Sequence, residues 1–364
     1  MSDKPKHTPK SLDAFADERT QVRFSENQEI ARTSRALRAT IAEQTAELER
    51  LNSKLGLHEA LGAARLHVPE WLTRKATGAG HRAIPSLAVS DWHWGEVVKP
   101  EQVDGLNKYN VAIAEARMRR AFAGCLRVTR DYIKGIDYEG IELFLPGDNL
   151  SGSIHDELRE TNQETVIESI LGIVEPLAAG INLLAKDFGR VHVSAVVGNH
   201  PRGTRKPIAK NRAQDNLDWL IYKLLEREMR GRADVAMQVS DAADAHVTLY
   251  QTRYVLTHGD QFHGGSGISG ILAPLLLGSA RKTRRAAAAA KPYDVMVFGH
   301  FHQSLWFPGK GLIGVGCGKG YDEYAYVSNF EPEPAQCALW LTTPEKGITI
   351  NAPVFVSDRK SEGW

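Results

Sequence analysis

Five short apolar runs that each end in Asp, Asn or His constrain the fold more than any other feature of this chain. They are Ala88-Val89-Ser90-Asp91-Trp92-His93, Leu145-Pro146-Gly147-Asp148-Asn149, Val197-Gly198-Asn199-His200, Leu256-Thr257-His258-Gly259-Asp260 and Phe298-Gly299-His300-Phe301-His302. A lone Asp-x-His is most simply a surface acid beside a structural imidazole. Five such ends in succession read instead as buried strands delivering polar groups to one edge, where the loops of an open α/β sheet converge and ligands collect. Between them lie helical stripes. Ala114, Met118, Phe122 and Cys125 predict a helix over 101–134, and Val166, Ile170, Ile173, Leu177, Ile181 and Leu184 predict a second. Leu217, Leu220, Ile221 and Leu224 mark a third. Short strands at 234–239, 245–250 and 252–257 predict the start of a second sheet packed on the first. Further strand-like runs follow at 312–316, 337–342 and 348–356, after a helix-prone stretch at 281–291. The predicted class is α/β.

The ends of those runs supply seven nitrogen or oxygen donors: Asp91, His93, Asp148, Asn199, His258, His300 and His302. No thiolate is among them. Seven are too many for one tetrahedral ion and suit two divalent cations sharing a carboxylate, with Asp148 as the natural bridge. Mn²⁺ is the first expectation for such a set, with Fe, Zn or Mg as alternatives. Paired cations of this kind can hold a shared hydroxide for in-line attack on phosphorus.

In order and identity these blocks resemble the calcineurin-like metallophosphoesterase superfamily, whose pattern is Asp-x-His, Gly-Asp, Gly-Asn-His, His and Gly-His-x-His. The resemblance covers roughly residues 84–305. It implies a four-layer α/β/β/α sandwich of two mixed sheets flanked by helices. It also implies that Asp91, His93, Asp148 and His302 hold one metal and that Asp148, Asn199, His258 and His300 hold the other. His200 would meet the phosphate and protonate the leaving oxygen. The protein Ser/Thr phosphatase branch is disfavoured, because Asn149-Leu150-Ser151-Gly152 stands where that branch has Val-Asp-Arg-Gly, and Pro201 stands where it has Glu. With no acid after His200, Asp260 and Asp156 are the candidates to orient its ring. The stretches Asp91-Trp92-His93-Trp94-Gly95-Glu96-Val97-Val98 and Gly320-Tyr321-Asp322-Glu323-Tyr324 resemble phage-type and DNA-repair-exonuclease-like members more closely.

A formal net charge of +1 with 24% charged residues gives the whole molecule no general attraction to polyanions. Any such preference must be local. Arg202, Arg205, Lys206, Lys210 and Arg212 crowd the loop after His200, and Arg202 and Arg205 are the substrate-binding candidates of a phosphate-collecting rim. The bland reading of that loop is solubility. Of Trp92 and Trp94, one is expected in the core and the other against substrate. His192 and His246, inside strands, read as structural; His263 could support a ligand, and His155 with Asp156 and Glu157 follows Asp148 closely enough to touch substrate. The expected substrate class is a phosphodiester of nucleic acid, DNA or RNA, or of a nucleotide. A phosphomonoesterase and a non-catalytic metal-binding scaffold are the alternatives.

Residues 1–26 read as a loose leader, 27–66 as a helical coiled-coil-like segment and 80–364 as the metallophosphoesterase domain. Ile30, Leu37 and Leu51 fall in one heptad position and Ile41, Leu48 and Leu55 in the other, which offers residues 28–57 as a homodimer seam. A single helix packed on the domain is the competing reading. The polar start of the chain lacks the apolar core of a secretory signal, and the apolar run at 271–277 is too short to cross a bilayer. Three scattered cysteines, Cys125, Cys317 and Cys337, give no disulfide framework. A soluble cytoplasmic protein without a membrane partner is expected.

Overall fold

The computed structural model describes residues 69–73, 81–263 and 272–364, together with Gln44. Contacts divide the chain into two units, Met1–Ala64 and Arg65–Trp364, and all the described strands belong to the second. The leader and the heptad segment, with the dimer seam placed on it, lie outside the described residues.

In chain order the elements are β1 (Arg82–Ala88), α1 (Val111–Arg127), β2 (Asp137–Tyr138), β3 (Ile141–Leu145), α2 (Asp156–Thr161), α3 (Val166–Phe188), β4 (Val191–Ala195) and α4 (Leu217–Glu228). They continue with β5 (Val235–Val239), β6 (Asp244–Leu249), β7 (Thr252–Thr257), α5 (Leu272–Ala288), β8 (Val295–Phe298), β9 (Ser304–Phe307) and β10 (Leu312–Val315). Last come α6 (Glu323–Val327), β11 (Gln336–Thr343), β12 (Gly347–Phe355) and α7 (Arg359–Glu362).

One sheet has the order β12-β11-β1-β3-β4-β5, with β2 paired to β1. Its central strands β1, β3, β4 and β5 run parallel in register, Leu87 beside Leu143, Val193 and Met237, so their carboxyl ends share one edge. The other sheet has the order β6-β7-β8-β10-β9, with β7, β8 and β10 parallel. Both sheets are therefore mixed. They face each other across Ile84, Phe144 and Trp340 from the first and Tyr254, Leu256, Val297 and Ile313 from the second, where Phe144 stacks on Trp340 at 5.4 Å between ring centroids. Helices α1, α3 and α4 cover the outer face of the first sheet. On the second, Leu275 of α5 packs with Val255, Met296 and Phe298. The architecture is the expected α/β sandwich of two mixed sheets flanked by helices.

Local chemistry sets the helix ends. Thr165 and Glu168 form a reciprocal capping box at the start of α3, and Gly189 in the left-handed region (φ +75°) ends it. Asn110 accepts from the Ile113 N–H and starts α1 later than the predicted residue 101; the preceding chain is a short 3-10 turn, Pro100–Gln102, and then loop. Strand β5 belongs to the first sheet rather than the second, and β11 and β12 return to that first sheet on the far side of β1. Among the described residues α3 is the one helix long and apolar enough to cross a membrane. Here its stripe Ile170, Ile173, Leu177, Ile181 and Leu184 is buried against the domain. The three cysteines are free and buried.

Candidate metal centre

All five motif blocks meet where the carboxyl ends of β1, β3 and β4 come opposite those of β7 and β8. Three groups of donor atoms lie within 4.8 Å of one another: Asp91, His93 and His302; His93, Asp148 and His200; Asp148, His258 and His300. Asp148 thus stands between the first set and the last. Asn199 joins the last through its Oδ1, 3.0 Å from His258 Nε2, which is also 3.0 Å from Asp148 Oδ2. His93 Nε2 and His302 Nε2 are 3.1 Å apart. The structure therefore brings together all seven sequence-predicted donors, with His200 beside them.

The backbone pays for this convergence with strain. Ten described non-glycine residues have positive φ, and five of them are Asp91 (52°), His93 (45°), Asp148 (53°), His300 (68°) and His302 (55°). Each such residue costs on the order of 1–3 kcal/mol and persists only where its surroundings over-determine it. Two motif glycines leave the space the carboxylates need. A Cβ on Gly198 would lie 2.1 Å from Asp148 Oδ1, and one on Gly299 would lie 2.4 Å from Asp91 Oδ2.

Asp218, which the sequence reading missed, fastens two of the loops. Its Oδ2 accepts from the N–H groups of Asp148 and Gly198, both at 2.9 Å, and its Oδ1 from the Asn149 N–H at 3.1 Å and the Asn149 side-chain amide at 2.8 Å. The carboxylate is buried, and burial with the Asp148 charge pushes it up to about 6. The one local signal is Asn216-Leu217-Asp218 at the start of α4, where Asn216 caps the Asp218 N–H and its amide donates to the Gly198 carbonyl at 2.9 Å.

Hydrogen bonds at Nδ1 set the ring orientations. His258 Nδ1 faces the Pro146 carbonyl at 3.0 Å, and His200 Nδ1 faces the Ser151 carbonyl at 3.1 Å. A backbone carbonyl thus orients His200, in place of the expected acids: Asp260 is held by both terminal nitrogens of Arg212 at 2.8 Å, and Asp156 by Arg205 at 2.6 Å. His200 also donates its N–H to Asp148 Oδ1 at 2.8 Å, and its ring centroid lies 4.5 Å from that of His93 and 5.7 Å from that of His155.

Charges divide sharply. Burial pushes Asp91 up to about 7, against the pull of His258. Burial also opposes ionisation of Asp148, but His258 and His200 outweigh it and hold this carboxyl well below its usual range. For His258 burial is overcome by Asp148, which raises the ring to about 10. Burial holds His93 well below its ordinary value with Lys319 adding to the effect, lowers His300 to about 4 and His302 to about 3, and lowers His200 while Asp148 pulls it up. His258 Nε2 stands within hydrogen-bonding distance of both Asp148 and Asn199.

The donor set fits divalent ions on its own chemistry. Ligands at right angles around an ion at about 2.1 Å stand about 3 Å apart, the spacing seen for His93 with His302 and for His258 with Asp148 and Asn199. Buried carboxylates and imidazoles with no thiolate suit Mn, Fe, Zn or Mg.

The predicted rim is less free than its sequence suggests. Arg202 donates to the Thr204, Asn199 and Arg205 carbonyls and so shapes the loop after His200, while Arg205 makes an exposed ion pair with Asp156. Trp92 and Trp94 are both buried, the indole N–H of Trp92 on the Ala114 carbonyl and that of Trp94 on Glu164, so neither stacks on substrate. His192 is fully buried in β4 with its Nδ1 2.7 Å from Glu142. His246 lies in β6.

No protein-family model and no curated protein sequence matches the chain. Solved structures do. The chain is similar to a predicted phosphoesterase from Streptococcus pneumoniae, at 11% identity over 76% of this chain and 98% of that one, with a TM-score of 0.28. It is similar to Vacuolar Protein Sorting 29 from Cryptosporidium parvum, at 14% identity over 74% and 96% with a TM-score of 0.30. It is also similar to a dimetal phosphatase from Danio rerio, at 10% over 75% and 99% with a TM-score of 0.33. In motif order, in its two mixed sheets and in the side chains that meet at their shared edge, this chain resembles the calcineurin-like metallophosphoesterase superfamily.

Proposed function

We propose that the chain is a two-metal phosphoester hydrolase whose substrate class is a phosphodiester, in nucleic acid or a nucleotide, and whose preferred ion is Mn²⁺. The observation that carries this reading is the meeting of seven nitrogen and oxygen donors in two sets around Asp148. Asp91, His93, Asp148 and His302 would hold one ion, and Asp148, Asn199, His258 and His300 the other. When bound, such a pair offers Lewis acidity toward phosphoryl oxygens and a nucleophile from water near neutral pH.

The chain's own groups do the rest. His200 keeps its Nδ1–H on the Ser151 carbonyl, so Nε2 would pass a proton to the leaving oxygen only from the imidazolium form, which burial opposes and the Asp148 carboxylate favours. Asp148 accepts from the His200 N–H and so fixes the distance between this acid and the centre. Arg202 keeps the loop after Asn199 in shape, and Arg205, Lys206 and Lys210 are exposed on it to collect substrate phosphates.

Metal-loaded protein should be offered an aryl phosphodiester, the matching monoester, and single- and double-stranded DNA, with His200→Ala as control. The expected result is diester cleavage lowered about 10²–10⁴-fold by the substitution. Cleavage of the monoester alone would replace the diesterase reading with a monoesterase. Equal inertness of both proteins toward every substrate would favour a binding scaffold.

A further inference from the structure

His93 and Glu96 are both buried, and each carries an atom that finds no hydrogen-bond partner: His93 Nδ1 and Glu96 Oε2, which lie 3.6 Å apart. The other oxygen, Glu96 Oε1, accepts from the Lys319 ammonium at 2.8 Å. Lys319 is itself buried and is bonded also to Asp322. Its main chain is tied to the same centre. The Lys319 N–H donates to the Asp91 carbonyl at 3.2 Å, and the Lys319 carbonyl accepts from the Asn107 amide at 3.0 Å and from Arg117. The carboxylate of Glu96 is thereby oriented, one oxygen on Lys319 and the other turned to His93.

We propose that Glu96 is a positioning residue for the first ion: its Oε2 accepts a hydrogen bond from the Nδ1–H of His93 and so fixes the tautomer whose Nε2 lone pair faces Asp91 and His302. The inference rests on the two-ion reading of the centre. A neutral imidazole carries one N–H, and a ring with its proton on the metal-facing nitrogen cannot ligate. His258 meets this requirement through the Pro146 carbonyl. His93 meets it through a carboxylate, which raises the basicity of the ligating nitrogen more than a carbonyl does. At 3.6 Å the two atoms stand just beyond hydrogen-bonding distance, and the proposed bond requires them to approach by about 0.5 Å. Lys319 and Asp322 hold Glu96 so that it does not turn away.

Glu96→Gln tests the idea, because the amide must choose. Its oxygen has to face the Lys319 ammonium, which places its NH₂ toward His93 Nδ1 and drives the ring proton to Nε2. Long-range ¹H–¹⁵N correlation on the metal-free proteins should show His93 protonated at Nδ1 in the wild type and at Nε2 in the variant. Calorimetric titration with Mn²⁺ should show one of the two ions bound about 10–100-fold more weakly and the other unchanged. Glu96→Asp, which keeps a charge for Lys319 but withdraws from His93, should lose affinity at the same site without inverting the tautomer. It also serves if the Gln variant does not fold. Wild-type affinity for both ions in either folded variant overturns the inference. Equal weakening of both ions with a lower melting temperature overturns it too, since that marks a general structural role. A wild type that binds no ion overturns the two-ion reading itself.

Discussion

His258 enters metal binding as a cation. With its Nδ1–H on the Pro146 carbonyl and Asp148 drawing it up to about 10, the ring holds a second proton on Nε2 at neutral pH, and an ion must displace that proton. Asp91, at about 7, must also give up its proton, whereas His300 and His302, at about 4 and 3, are already neutral. From these two side chains loading should therefore release about two protons per protein near pH 6 and about one near pH 8, where a bound water that ionises adds about one more, and affinity should fall as pH falls. Calorimetry in buffers of different ionisation enthalpy reads both numbers; a release of zero at both pH values would contradict the His258 charge. Asp218 supports a second prediction. In Asp218→Asn one oxygen becomes an NH₂ facing two N–H donors, so those buried donors lose their acceptor at about 1–3 kcal/mol each. Unfolding free energy should drop by that measure in denaturant titration, and Mn²⁺ affinity should fall about 10–100-fold. The ligands were legible in the sequence because few residue types can grip a cation. Asp218 and Lys319 were not, since a carboxylate receiving backbone N–H groups and a lysine buried between two acids leave no spacing to read.

At the scale of elements, strand ends were legible where an apolar run stopped at a polar residue, but the sheet that each strand joins was not. β5 and β6 look alike in pattern, yet β5 continues the parallel row and β6 starts the other sheet, because pairing partners are set by tertiary packing rather than by alternation. The layer between the sheets is also more polar than an apolar count implies. Of ten buried side-chain atoms without a partner among the described residues, five lie on the facing strands of the first sheet: Ser86 Oγ, Glu142 Oε1, His192 Nε2, Ser194 Oγ and Gln238 Oε1. Buried polar groups are almost always satisfied, so this layer should contain ordered water. A high-resolution crystal structure should show density within about 3 Å of Glu142 and His192; a dry layer would refute it. The adjoining Trp340, stacked on Phe144, holds the apolar part of the same layer. Trp340→Ala should cost about 3–5 kcal/mol in denaturant unfolding.

For the whole molecule the decisive quantity is charge. A net charge of +1 supplies no long-range pull on a polyanion, so the proposed nucleic-acid substrate would have to be held by a local patch. The structure narrows that patch. Arg202 is committed to three backbone carbonyls and Arg212 to Asp260, which leaves Arg205, Lys206 and Lys210 as the exposed cations of the loop after His200. The Arg205 pair with Asp156 is exposed on both sides and holds it only weakly. Three cations that neutralise about three phosphates give a slope of log K against log salt of about −2.7 for duplex and about −2.1 for single strands. Replacing all three with Ala should remove most of that slope and weaken DNA binding, yet leave cleavage of a small aryl diester unchanged, because the loop is held by Arg202 and the ions by other residues. Fluorescence anisotropy across a salt series, run beside the diester assay, separates the two effects. A triple variant that binds DNA with the wild-type slope would place the nucleic-acid contact elsewhere, and one that also lost diester cleavage would make the loop part of the centre rather than its rim.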